Sequence, residues 1–355
     1  MGGKTHEASI SRAGQRLKSV GPAFTAAVAL ILIPWLGVGG LGLRYVFGVV
    51  IPYAGLMVFI IAFVYRLVKW SWAPVPFKIP TTAGQQKSLA WIMQSKLDNP
   101  FTRGQVIGRM ILEVFLFRSL FRNSAMKMRQ GPKLSYASAK WLWIFAIAFH
   151  YAFLITVFRH LRFFIDPVPV PVRLVERLDG WLQIGLPQIM VSGLLLLTVG
   201  MLLLARRLLI PKLRYISLAN DYFPLFLIIA IASTGALMRY VTGIDTTSVK
   251  ELAMGLVTFR PVAPEKLQYH FFIHIFLVST LLAYLPFSKL MHMGGIFFSP
   301  TRNLANNSRA VRHVNPWNAP AEYHTYEAYE EEFREKMIKA GIPVEKQPSA
   351  STKEE

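Results

Sequence analysis

The sequence predicts an all-α integral membrane protein with six transmembrane helices, and three observations carry that prediction. The 355-residue chain is 53% hydrophobic and only 16% charged, too apolar for a soluble domain of its length. Its mean hydropathy is positive, at +0.39. Six separate stretches approach the roughly 20 apolar residues that a helix needs to cross a hydrocarbon core, and the polar and basic residues gather between them.

The first 22 residues are polar and basic. The span after them, Pro22 to Leu43, has no short apolar core with a small-residue cleavage site, so it reads as a retained helix. The stretch GVGGLGLR from Gly37 to Arg44 is a glycine-rich turn that makes the first span and the second, Tyr45 to Val68, antiparallel neighbours. A long segment, 69–140, follows, and loops of that size without structure of their own are uncommon. Within it, Gln105 to Arg122 alternates an apolar face with Arg109, Arg118 and Arg122. That pattern predicts a helix in the membrane interface with its arginines toward the head groups.

The third and fourth spans are Trp141 to Leu161 and Leu182 to Ala205, and the link Arg206 to Arg214 breaks at Pro211 before the fifth span, Tyr222 to Tyr240. Two proline-punctuated segments, Arg162 to Trp181 and Thr242 to Gln268, cap one end of the bundle. The sixth span runs from Phe271 to Met291, and the polar tail beyond Ser299 carries an amphipathic helix near 322–343 that suits docking on a soluble partner or partial disorder. The expected organisation is thus 1–44 for the N-terminus and an extra helix, 45–299 for the main membrane domain, and 300–355 for the tail.

A net charge of +20 raises nucleic acid as a partner. The basic residues, however, follow topology: with the N-terminus inside, the inner segments and their edges hold 30 of the 39 lysines and arginines. The positive-inside rule then places both termini in the cytoplasm of a multi-pass protein. The chain has no cysteine, which excludes a thiolate-held iron–sulfur cluster, a thioether-attached haem and any disulfide within it.

Histidine is costly in a bilayer, yet His150 and His160 lie on the third span, and His274 and His292 on the sixth. The spacings of ten and eighteen residues correspond to roughly 15 Å and 27 Å of helix rise. Antiparallel spans then set His150 opposite His292 near the inner face and His160 opposite His274 near the outer face. Two stacked b-type haems, each held between imidazoles of different helices, fit this pattern. The spacings differ by eight residues, which helix tilt and haem inclination have to absorb. On a continuous helix, eighteen residues would put His274 and His292 on one face, while His150 and His160 would point roughly 80° apart. Interhelical hydrogen bonding is the structural alternative for these histidines.

His270 lies one turn before His274 on the same face. Three roles stay open for it: replacing His274 as a ligand, sitting in a quinone pocket, or being an interfacial histidine. His6, His313 and His324 lie in polar segments and carry no signal. Arg159, Arg162 and Arg239 are candidates to hold haem propionates in a fork or to set topology. For an outer quinol site, Arg173, Arg177, Asp166, Asp179 and His270 are candidates. A proton-coupled transporter would favour broken helices and charges at mid-membrane. Beyond Pro34 and Pro224 the spans show little of either, and a purely structural anchor is the remaining alternative.

The histidine spacings resemble those of the cytochrome b (gamma) subunits of respiratory nitrate reductases over five spans, Tyr45 to Met291. That resemblance implies that His160 and His274 hold the haem nearer the quinol site, and that His150 and His292 hold the haem nearer the soluble enzyme. The extra first span, the long loop and the tail depart from it. All three resemble the DsrM family, cytochrome b subunits of DsrMKJOP complexes, most specifically in the stretch Val75 to Asn123. This second resemblance implies two haem b, menaquinol as substrate and a prokaryotic inner membrane. It also implies a cytoplasmic iron–sulfur partner related to heterodisulfide reductase. Further partners would be a quinone-interacting membrane protein, a multihaem cytochrome c and an outer-face iron–sulfur protein, all serving dissimilatory sulfur metabolism.

Overall fold

The computed structural model describes residues 19–73, 84–129, 131, 133–183, 187–308, 310–311 and 324–346. His6, His313 and the first part of the Val75 to Asn123 stretch lie outside the described residues. Among the described residues, six helices are long and apolar enough to cross a membrane, and the protein is an all-α multi-pass membrane protein.

Helix α1, Val20–Gly39, runs unbroken through Pro34. The turn after it needs Gly42, whose φ of +67° lies where side chains are disfavoured. The chain re-enters through a π-helical turn, Val46–Val50, continuous with α2, Ile51–Ser71. The long loop then folds into α3, Arg103–Leu116, and the short α4, Arg118–Phe121. Phe117 makes the joint between them in the left-handed region, at φ 49°. Strands β1, Ser124–Arg129, and β2, Lys133–Ser138, form an antiparallel hairpin with Met126 opposite Tyr136. The sequence pattern did not suggest this hairpin.

Helix α5, Lys140–His160, carries the first two histidines. A capping helix, α6, Val170–Asp179, follows. The fourth span is α7, Val191–Leu209, which starts nine residues later than the hydropathy pattern suggests. Asp179 explains the shift: its carboxylate accepts from the Ser192 N–H and hydroxyl, both at 2.7 Å. A side chain from α6 thus caps orphan donors of α7 and fixes where that helix begins. As expected, the next link breaks at Pro211, which opens the short helix α8, Pro211–Ile216. The fifth span, α9, Ala219–Leu237, ends in a π turn, Met238–Thr242. Helix α10, Thr246–Val257, caps the same end as α6.

The sixth span departs most from expectation. Helix α11, Tyr269–Tyr284, stops seven residues short of Met291 and gives way to a 3₁₀ turn, Leu285–Phe287, an extended Ser288 and a second 3₁₀ turn, Lys289–Met291. His292 opens a separate helical turn, α12, His292–Gly295. Pro286 supplies the cause, because it has no N–H to donate and its ring clashes with a helical carbonyl one turn back. The freed Pro286 carbonyl accepts from Arg66 Nη1 of α2 at 2.6 Å. The tail contains the expected helix as α13, Tyr326–Lys339.

Helix α5 packs on α7, α7 on α9, and α9 on α11, while α1 packs on both α9 and α11 and α2 packs on α11. One core cluster joins Phe47, Met238, Leu252, Leu267, Phe271 and Phe272 at the end capped by α6 and α10. A second joins Ala152, Leu196, Leu227, Ile273 and Leu277 farther along the bundle. We call the first end the cap end and the opposite one, which carries the loop and hairpin, the loop end.

The interfacial arginines are not where the pattern placed them. Arg109 is buried and donates to the carbonyls of Asp98 at 3.0 Å and Thr301 at 2.9 Å. Arg118 pairs with the Asp98 carboxylate at 2.7 Å, and Arg122 pairs with the same oxygen. Arg109 thus turns inward and ties the loop to the segment after α12, while Arg118 and the more exposed Arg122 close on Asp98 within the loop.

Candidate functional site

Two histidine pairs meet across the bundle. At the cap end the rings of His160 and His274 lie 6.5 Å apart, centroid to centroid, and are nearly parallel, with 18° between their planes. At the loop end His150 and His292 lie 5.9 Å apart and nearly perpendicular, at 84°. The break at Pro286 makes the second pairing geometrically simple. Eighteen residues of continuous helix would carry His292 about 27 Å from His274, overshooting the ten-residue interval on α5. The interruption lets the chain change direction before His292. It also means that His274 and His292 do not share a helix face, since they belong to different elements.

All four Nδ1 atoms are occupied. His150 Nδ1 contacts the Ala146 carbonyl at 2.7 Å, and His160 Nδ1 the Thr156 carbonyl at 2.6 Å, each four residues back on α5. His292 Nδ1 contacts the Lys289 carbonyl at 2.9 Å. His274 differs, because its Nδ1 lies 2.9 Å from the Thr234 hydroxyl of the neighbouring helix α9. That hydroxyl donates to the Ala230 and Ile231 carbonyls at 2.9 and 3.0 Å, so its oxygen accepts from the imidazole. A carbonyl or hydroxyl acceptor fixes the proton on Nδ1 and leaves Nε2 as the basic nitrogen, the arrangement usual for metal-bound histidine. Gly235 gives the His274 ring room: a Cβ there would sit 3.3 Å from His274 Cε1.

The donor set distinguishes among metals. Among the described residues no cluster of three or more histidine, aspartate or glutamate side chains is suited to a metal ion, so each pair offers two imidazoles. Two ligands are too few for a zinc site but suffice for a haem iron, whose other positions the porphyrin fills. Metal–imidazole bonds of about 2 Å on each side, with about 1 Å from each nitrogen to its ring centre, put two opposed imidazoles about 6 Å apart. Both pairs fit. Helices α5 and α11 pack on different neighbours, and His150, His160 and His292 are all exposed.

The loop-end turn that carries His292 is held from two sides. Lys289, whose carbonyl faces His292, donates to the Asp221 carboxylate on α9 at 2.6 Å. On the other side Gly294 lies against Leu67 of α2, where a Cβ would meet Leu67 Cδ2 at 2.9 Å. The Phe117 ring meets His150 edge-on at 5.0 Å. Thr234, Asp221, Lys289, Arg66 and Phe117 went unread in the sequence. Thr234, a hydroxyl within an apolar span, and Pro286, a helix breaker inside one, were the available signals.

The arginines expected at propionates already have partners. Arg159 Nε lies 2.7 Å from Asp179, Arg162 pairs with Glu176, and Arg239 donates to the Gln188 carbonyl at 2.8 Å. Asp166 pairs with Lys250 at 2.6 Å. Arg173 and Arg177 are exposed on α6, and His324 is exposed in the tail. The His270 ring lies beside that of Tyr269, with centroids 3.9 Å apart and planes tilted by 36°, and its Nδ1 is buried without a hydrogen-bond partner among the described residues.

Comparison with known proteins agrees with this architecture. Residues 106–314 match the family model described as nitrate reductase gamma subunit. A protein of Archaeoglobus fulgidus named Hdr-like menaquinol oxidoreductase cytochrome b-like subunit is 44% identical over 77% of this chain and 83% of its own length. Its namesake from Archaeoglobus profundus is 42% identical over 76% and 81%. The respiratory nitrate reductase 1 gamma chain of Escherichia coli is 30% identical over 38% of this chain and 64% of its own length.

Proposed function

This chain belongs to the nitrate reductase gamma subunit family, and on that premise we propose that it is a di-haem cytochrome b subunit that oxidises menaquinol. Electrons leave for a cytoplasmic iron–sulfur subunit related to heterodisulfide reductase. The observation that carries this reading is the pairing of four histidines at two levels, each with Nδ1 engaged and rings about 6 Å apart. Bound b-type haems supply one-electron carriers spaced across the membrane. His150 and His292 hold the one nearer the cytoplasm, and His160 and His274 the one nearer the outside. The protein's own contribution is to orient the imidazoles and to set ligand basicity through the groups at Nδ1.

Quinol oxidation belongs at the cap end, with protons released outward. His270, one turn from His274 with an unpaired ring nitrogen, is the best placed of the candidates to accept from a quinol hydroxyl. Arg173 and Arg177 are peripheral candidates. We assign the chain to the DsrM type, acting in dissimilatory sulfur metabolism with a quinone-interacting membrane protein, a multihaem cytochrome c and an outer-face iron–sulfur protein. The long alignments with Hdr-like relatives, against a shorter one with a nitrate reductase subunit, support that assignment.

The test is direct. Purified in detergent, the chain should contain two protohaems, both reduced by a soluble menaquinol analogue. A preparation with one haem or none contradicts the proposal.

A further inference from the structure

Helix α3 is built inside out. A surface helix of a soluble protein turns its apolar stripe to the core and its charges to water. Here Arg109 and Glu113 are only 5% and 4% exposed, whereas Ile107, Ile111 and Phe115 are 60%, 52% and 57% exposed. These three residues are four apart and form one stripe on the helix. The polar face finds partners beneath: Arg109 Nη1 on two carbonyls, and Glu113 accepting from Ser119 N at 3.1 Å and from its hydroxyl.

The helix is also fixed against a transmembrane span. The Leu116 carbonyl accepts from Trp143 Nε1 at 2.7 Å, and the Phe115 carbonyl from the Tyr151 hydroxyl at 3.0 Å. Tyr151 lies eleven residues into α5 from Lys140, roughly 16 Å of rise. The C-terminal end of α3 therefore lies alongside α5 rather than beyond it. Its stripe continues the apolar outer surface that α5 presents through Ile144 and Leu154.

We propose that α3 is seated in the loop-end leaflet of the bilayer, with Ile107, Ile111 and Phe115 among the acyl chains and its charged face turned into the protein. Lipid is the occupant because the stripe is continuous with a membrane-facing surface and carries no charge. In this position the helix ends on Phe117 and holds that ring against His150 from the lipid side. The inference depends neither on haem binding nor on which face of the membrane is cytoplasmic.

The full chain, reconstituted in phosphatidylcholine vesicles containing a phospholipid with a photoreactive acyl chain, provides the test. Adducts are expected on Ile107, Ile111 and Phe115 as well as on Leu154 of α5, with none on the hairpin. Labelling of α5 with α3 silent overturns the proposal, whether water or a protein covers the stripe. The chain lacks cysteine, so Ile111→Cys and Leu134→Cys each create a unique thiol. A thiol in apolar surroundings stays protonated and unreactive, so a membrane-impermeant maleimide should modify position 111 at least about tenfold more slowly than position 134. Equal rates overturn the proposal.

Discussion

The two histidine pairs reach similar ring separations by different means. At the cap end both histidines sit on long helices, and His274 is oriented by a hydroxyl from a third helix. At the loop end one histidine sits on a helix and the other on a short turn beyond a break, oriented by a carbonyl of that turn. A helix positions a ligand through its whole hydrogen-bonded ladder. A turn after a proline lacks that support, and here Arg66 on one side and Asp221 on the other replace it. The same difference separates the ring planes, which are near parallel at the cap end and near perpendicular at the loop end.

The largest expected effect comes from removing a ligand. His150→Ala and His292→Ala should each eliminate the loop-end haem and leave the cap-end haem, while His160→Ala and His274→Ala should do the reverse. Haem-specific difference spectra of the four variants show this. Loss of the same haem from His150 and His274 variants breaks the pairing.

Support is the next level. Thr234→Val removes the acceptor at His274 Nδ1, and loss of such a partner typically weakens metal retention by about 10- to 100-fold. The cap-end haem should be lost on dilution while the loop-end haem remains, and Thr234→Ser should restore it. At the other end, Lys289→Gln cuts the ion pair with Asp221 that anchors the turn carrying His292. It should shift the reduction potential of the loop-end centre alone, and an equal shift at both ends in a redox titration argues against a local role.

The smallest effect concerns Asp98. Burial alone would raise its carboxyl, but hydrogen bonds from Arg118 and Arg122, with one from Ser95, hold it well below the usual carboxylate range. A lowered folded-state value means that the stabilisation is fully present above the unfolded value of about 4 and is lost as pH falls through the folded one. Thermal unfolding should therefore change little from this group between pH 7 and pH 5. Asp98→Asn should lower the melting temperature at pH 7 and flatten the response to strong acid.

Hydropathy, charge placement and histidine spacing made the six spans and the expected pairing legible in the sequence, because each reflects a bulk property of the bilayer. What remained hidden depends on single contacts. The start of α7 is set by Asp179 reaching Ser192, a cap formed across a connection that no periodicity encodes. The inward turn of Arg109 depends on the Thr301 carbonyl, 192 residues away. The end of α11 was readable at Pro286, with Ser288 and Lys289 just beyond it, but the long apolar run that precedes them masked it. His270 also stays unresolved by spacing, since one helical turn separates it from His274. In the structure the ring opposed to His160 is that of His274.

Low-temperature EPR of the oxidised, full-length chain tests most directly the claim that each pair holds one haem in its own geometry. Two low-spin ferric signals of equal weight are predicted. One should show strong anisotropy from the perpendicular His150–His292 pair, and the other the more rhombic form of the near-parallel His160–His274 pair. A single low-spin signal, or a high-spin signal at either centre, contradicts the account.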